Sequence, residues 1–149
     1  MNDVEVASAG IDEPGWLENC GRFSKLVLEA RGIDNWELSV LLTDDATIRQ
    51  LNRHYREVDA PTDVLSFSQD PDYATAAGEG KTPAGDLVIS LESCSRNAKA
   101  QMIPEEEELK RLLIHGILHL EGLDHEDEQS DMIRLQEEIL TRFTKEKIF

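Results

Sequence analysis

From Leu109 to Leu120 the chain reads LKRLLIHGILHL, and this run constrains the fold more than any other. At helical spacing Leu109, Leu112, Leu113, Ile117 and Leu120 form one apolar arc, and Ile114 and Leu118 extend it almost all round. A helix that is apolar on nearly every side is a buried helix, so other elements must wrap it. Trp16, Leu17, Cys20, Phe23, Leu26, Val27 and Ala30 recur with helical period between Pro14 and Gly32. Trp36, Leu38, Val40 and Leu42 alternate as in a half-buried strand. Thr43, Asp44 and Asp45 open a short helix carrying Ile48 and Leu51. Residues 64–67 and 87–89 are short strand-like runs, and the Gly-, Pro- and Ala-rich residues 69–85 between them predict a mobile loop. Ser90 caps a helix to about Met102, Pro104 opens the buried one, and Gly122 ends it. After Asp127, Met132, Leu135, Ile139 and Phe143 mark a final amphipathic helix, and the N-terminal VEV is a candidate edge strand. The expectation is an α+β domain spanning 1–149: a small mixed sheet of three to four strands covered by about five helices.

The buried helix carries His115 and His119, which lie on one face because residues four apart share a side. Imidazoles in a buried helix cost free energy unless a metal, a carboxylate or a carbonyl satisfies them. Glycine takes a left-handed C-terminal turn cheaply, so Gly122 would swing the chain back and bring His125 toward the pair. The reading is a metal site at the end of the buried helix, formed by His115, His119 and His125. Three imidazole nitrogens suit one Zn²⁺ per chain, although copper, nickel and iron also accept imidazole. Three protein ligands leave one position for water, which on zinc ionises near pH 7. The histidine offsets match the H-E-x-x-H-x-x-G-x-x-H signature of metzincin proteases, but Gly116 stands where they keep a catalytic glutamate. Asp124 either supports a ligating imidazole from behind or stabilises the turn before the last helix. Glu121 points toward a different side of the helix.

Acidic residues number 31 against 15 basic ones, a formal net charge of −16. Such a balance opposes a general electrostatic grip on nucleic acid, which relies on Lys and Arg neutralising phosphates. It leaves room for a local patch. Arg49, Arg53 and Arg56 fall at i, i+4 and i+7 and share a helical face, and the guanidinium fork suits phosphate. The plainer alternative is exposed arginines paired with Glu57, Asp59 and Asp63. His54 reads as a surface residue beside this face, and Asp63 as a turn cap or a partner for Arg56. The acidic runs 105–108 and 126–128 read as solvated helix starts. Cys20 and Cys94 have no CxxC spacing, no run is apolar enough to span a membrane, and the N-terminus lacks a secretory pattern, so a cytoplasmic setting is expected.

Three segments, LNRHYREVDAPTDVLSF (51–67), GDLVIS (85–90) and HGILHLEGLDH (115–125), resemble in order and spacing the YbeY family of bacterial single-domain metalloproteins. The resemblance implies a zinc-dependent, single-strand-specific endoribonuclease acting in 16S rRNA 3′-end maturation and ribosome quality control. It carries zinc ligation onto His115, His119 and His125, a catalytic role onto Arg56 beside His115, and adds weight to Arg49 and Arg53 as substrate contacts. The expected partners are rRNA or the small ribosomal subunit, with a basic ribosomal protein or assembly GTPase docking on the glutamate surfaces. Neither DNA nor membrane is expected. Ser68 and Leu123 depart from the family pattern, where proline and an aromatic residue are frequent. Two other readings stay open: another zinc hydrolase such as a peptidase, and a non-catalytic, zinc-stabilised assembly module.

Overall fold

Alternation along the strands decides which side of the sheet each helix covers. The computed structural model describes residues 1–69, 81–123 and 129–149. Within them the order is β1 (Asp3–Ser8), α1 (Leu17–Ala30), β2 (Trp36–Thr43), α2 (Asp45–Arg56), β3 (Val64–Ser68), β4 (Thr82–Ser90), α3 (Leu91–Gln101), α4 (Glu105–Leu120) and α5 (Gln129–Arg142). The strands lie in the order β1-β2-β4-β3; the first three run parallel and β3 is antiparallel to β4 at the edge. This is the expected α+β architecture, with a four-stranded mixed sheet and five helices among the described residues.

Leu38, Val40, Leu42, Leu87 and Ile89 face one side of the sheet and join the main core with Phe23, Val27, Leu113 and Ile117. Leu65 and Val88 face the other side, where Ile48 and Leu51 of α2 cover them together with Phe67. Helix α4 lies on β3 and β4 and is flanked by α1, α3 and α5, as its all-round apolar surface requires. Two glycines set how close it comes. A Cβ on Gly116 would fall 2.6 Å from Leu87 Cδ2, and Leu87 is fully buried. A Cβ on Gly85 (φ +138°) would fall 2.1 Å from the Phe67 carbonyl oxygen and 3.1 Å from Leu120. The Gly85 contact is with backbone at positive φ and admits only glycine, whereas a methyl at Gly116 would force buried Leu87 to shift.

Two expectations need correction. Residues 82–85 are strand rather than loop: β4 begins at Thr82, pairing with Trp36, and a register shift between Glu37 and Leu38 accommodates the extra residue. Pro83 precedes the β3–β4 ladder, which begins at Gly85, so its missing N–H costs no bond in that ladder. Residues 70–80 lie outside the described residues. The glutamates that open α4 are also not all solvated. Glu108 is 3% exposed and meets Arg111 and Asn97, while Glu106 accepts the backbone N–H groups of Ile148 and Phe149 and so fastens the C-terminus. No helix among the described residues is long and apolar enough to cross a membrane.

Candidate active site

Helix α4 ends in the turn that Gly122 makes possible. Gly122 adopts φ +98°; its N–H donates to the His119 carbonyl (3.0 Å) and the Leu123 N–H to the Leu118 carbonyl (3.1 Å). This is the Schellman pattern that satisfies the last carbonyls of a helix. It leaves His115 and His119 in the wall of a cleft of about 580 Å³. Val64, Ser66 and Ser68 of β3 line it as well, Met132 and Ile133 come from α5, Arg56 is the last residue of α2, and Asp63 belongs to the α2–β3 connection.

The two imidazoles converge. His115 Nε2 lies 3.0 Å from His119 Nε2, with ring centroids 4.5 Å apart. His115 Nδ1 lies 2.8 Å from the Gln136 side-chain oxygen. The Gln136 amide nitrogen donates to Glu137 (3.1 Å), which turns the Gln136 oxygen toward His115. Since that oxygen can only accept, the bond assigns the His115 proton to Nδ1 and leaves Nε2 as the acceptor facing His119 Nε2 in the cleft wall. Arg111 in turn grips Glu137 through Nε and Nη2 at 3.0 Å each and Glu108 through Nη1 at 3.2 Å. The Arg111 hydrogen bonds hold the Glu137 carboxyl below its ordinary range despite partial burial. Glu108 reaches Asn97 (3.2 Å), and Asn97 reaches Asp63 (3.1 Å), which also lines the cleft. A hydrogen-bonded chain therefore runs from His115 through α5 and α4 to Asp63.

Arg56 is exposed and lines the cleft. Asp44 caps α2 by accepting the Thr47 N–H (2.9 Å), and Glu57, in the left-handed conformation, ends it. Asn52 then holds Ala60 (2.9 Å), and the Asp63 carbonyl accepts the Ser90 N–H (3.0 Å), so the segment after Arg56 is pinned beside β4. The three arginines fare differently. Arg49 pairs with Asp59 at 2.9 Å, whereas Arg53 and Arg56 have no carboxylate within ion-pairing distance among the described residues. Of the three, only Arg56 reaches the cleft wall. Glu121 is held by Arg31 through two 2.8 Å bonds, away from the histidines. Ser90 caps α3 and Ser66 is a strand residue, as expected. His125 and Asp124 lie outside the described residues.

Gln136 was not anticipated from the sequence, although a signal for it existed. It stands four residues after Met132 and three before Ile139, inside the apolar stripe of α5, and is 5% exposed. A polar side chain at a core position of an amphipathic helix requires a buried partner. Here that partner is His115.

Residues 5–144 match the family model described as Endoribonuclease YbeY. A Treponema pallidum protein named Endoribonuclease YbeY is 45% identical over 144 residues, covering 95% of this chain and 90% of that protein. The protein of that name from Treponema denticola is 46% identical over 142 residues, covering 94% and 90%. In Aquifex aeolicus the figures are 42% over 127 residues, 83% and 81%. Among solved structures, the solution structure of a Thermotoga maritima protein superposes with a TM-score of 0.63 at 27% identity, over 94% of this chain and 87% of that one. With the family model spanning nearly its whole length and relatives above 40% identity, this chain belongs to the YbeY family.

Proposed function

We propose that this chain is a single-strand-specific endoribonuclease that hydrolyses RNA phosphodiesters at a zinc ion held by His115, His119 and His125. Its substrate would be rRNA in the small ribosomal subunit, cleaved in the cytoplasm during 16S 3′-end maturation and ribosome quality control. The observation that carries the reading is the 3.0 Å convergence of two imidazole Nε2 atoms in a cleft that also holds Arg56, an arginine with no ion pair among the described residues. Membership of a family whose relatives are named endoribonucleases supports the RNA substrate.

The two described imidazoles are donors of the kind zinc takes. Gln136 holds the His115 ring with Nδ1 toward its own oxygen, so Nε2 of His115 and Nε2 of His119 are the atoms that would ligate, with His125 as the third ligand. Zinc held there would provide Lewis acidity toward a phosphate and lower the pKa of water to about 7. The protein's own groups do the rest. The Arg56 fork neutralises charge growing on the phosphate oxygens, where a positioned donor is worth more than in bulk water. Ser66 and Ser68 offer hydroxyls in the same cleft. Arg53 stands ready for a neighbouring phosphate; Arg49 would have to leave Asp59 to join it.

A peptidase reading loses ground on the packing of Gly116: a side chain where metzincins carry their base would have to displace buried Leu87. The assembly-module reading draws support from the −16 charge, which disfavours naked RNA. We propose that a basic ribosomal protein or assembly GTPase docks on the acidic surface and delivers the RNA.

The test incubates wild type, His115→Ala and Arg56→Glu with rRNA and with assembled small subunits, after excluding contaminating nuclease. Wild type should cleave and both variants should fail. Metal analysis should find about one zinc per chain, lost in His115→Ala. No cleavage by wild type sinks the enzyme reading, and cleavage by both variants sinks the site. Cyclic 2′,3′-phosphate ends would assign the attack to the RNA 2′-OH rather than to water.

A further inference from the structure

Tyr55 is 62% exposed in a small protein that could have buried it, and it sits next in sequence to the cleft arginine. Its ring is nonetheless braced. Phe67 meets it edge-on at 5.2 Å and 61°, and His54 at 4.6 Å and 88°. Phe67 itself packs on the Ile48, Leu65 and Val88 cluster, so the tyrosine is anchored to the core while much of its surface stays open. Ser66 and Ser68 face the cleft, and Phe67 between them faces the other side of the strand, as alternation requires. Because β3 is the edge of the sheet, Tyr55 and the cleft lie on either side of one edge strand, with Arg56 beside both. Arg53 and Arg56, the arginines nearest this ring in sequence, make no ion pair among the described residues, although the Asp59 carboxyl feels the Arg53 charge.

We propose that Tyr55 is a base-stacking platform for single-stranded RNA: a nucleotide flanking the scissile phosphate stacks on its ring while Arg53 and Arg56 hold phosphates on either side. The inference rests on the RNA-cleaving reading of the cleft and deepens it. Aromatic faces accept any base, so the platform confers no sequence preference. Bases in a duplex are already stacked on one another and cannot be splayed onto a side chain without unpairing. The platform therefore supplies the selection for single strands, and its rigidity keeps the entropic cost of binding low.

The experiment is stopped-flow fluorescence anisotropy on zinc-loaded full-length protein, read before cleavage. The probes are a short single strand, its duplex, and strands carrying one abasic position moved along the sequence. Tyr55→Ala should weaken single-strand binding by about 5- to 100-fold, with Tyr55→Trp restoring it. One abasic position should weaken wild type by the same factor and leave Tyr55→Ala no weaker than before, whereas Arg56→Glu weakens every strand alike. Equal binding by Tyr55→Ala and wild type overturns the proposal. So does a loss of the same size for abasic and base-bearing strands at every position, or failure of tryptophan to rescue. Cleavage is scored in the same reactions. An inactive wild type sinks the parent reading, while an active one with a dispensable Tyr55 sinks only the platform.

Discussion

Arg111 and Arg56 are the same side chain in opposite settings. Arg111 is 20% exposed and has three carboxylates around it, from Glu107, Glu108 and Glu137. Arg56 is exposed, lines the cleft and has none among the described residues. Of the nine arginines, Arg22, Arg53, Arg56 and Arg142 make no ion pair among the described residues, and of these four Arg56 is the one that lines the cleft. The difference separates a cation that holds the molecule together from one kept available for an anion from outside. Gln136 joins the two regions, since its amide is oriented by the Arg111-bound Glu137 and its oxygen orients His115.

The largest effect is expected on the structural side. Arg111→Ala strands the Glu108 carboxylate, 4% exposed, without its cation, which costs about 3–5 kcal/mol. At roughly 2–4 °C per kcal/mol, the melting temperature should fall by about 6–20 °C. An unchanged melting curve would break the comparison. Gly116→Ala tests how the histidine helix is seated, because the new methyl would press on buried Leu87. Overpacking of this kind costs about 1–3 kcal/mol, and a neutral denaturant midpoint would contradict the packing described. Gln136→Ala cuts the link between the regions and should weaken zinc binding about 10- to 100-fold in chelator competition. Unchanged affinity would mean that Gln136 has no hold on His115 that matters to the metal.

Asp45 and Arg96 provide an intermediate case and the smallest effect. Burial alone would raise the Asp45 carboxyl, but Arg96 at 2.7 Å and the hydroxyls of Ser90 and Ser93 at 2.6 Å hold it down to about 2. A depressed carboxylate contributes stability above its ordinary value near 4, and loses it as pH falls from there toward 2. With solvent screening at a partly exposed pair, the contribution is about 1 kcal/mol. Asp45→Asn should lower the urea midpoint at pH 7, and the difference from wild type should shrink to about a third of that by pH 2.5, still above the folded value of about 2. An equal loss at both values would show that the effect is not electrostatic.

Much of this was legible in the sequence where one residue type has one physical use. The all-round apolar run from Leu109 to Leu120 demanded a buried central helix, and Gly122 marked its left-handed end. The pair His115 and His119 followed from helical spacing. Strand 82–85 was hidden because Pro83, Ala84 and Gly85 look like loop residues. Their reason is tertiary: Gly85 sits against the Phe67 carbonyl, and Pro83 lies beyond the reach of β3. The i, i+4, i+7 spacing placed three arginines on one helix but could not separate Arg49, which finds Asp59 ten residues away, from Arg56. The solvated reading of the acidic run failed at Glu108 because its partners, Arg111 and Asn97, come together only through helix packing.

Single-turnover cleavage of a single-stranded RNA by zinc-loaded Arg56→Ala tests the central claim most directly. The account predicts a rate about 100- to 1,000-fold below wild type, with zinc content unchanged and melting temperature within about 2 °C. Cleavage at the wild-type rate by a folded, zinc-loaded Arg56→Ala protein would contradict it.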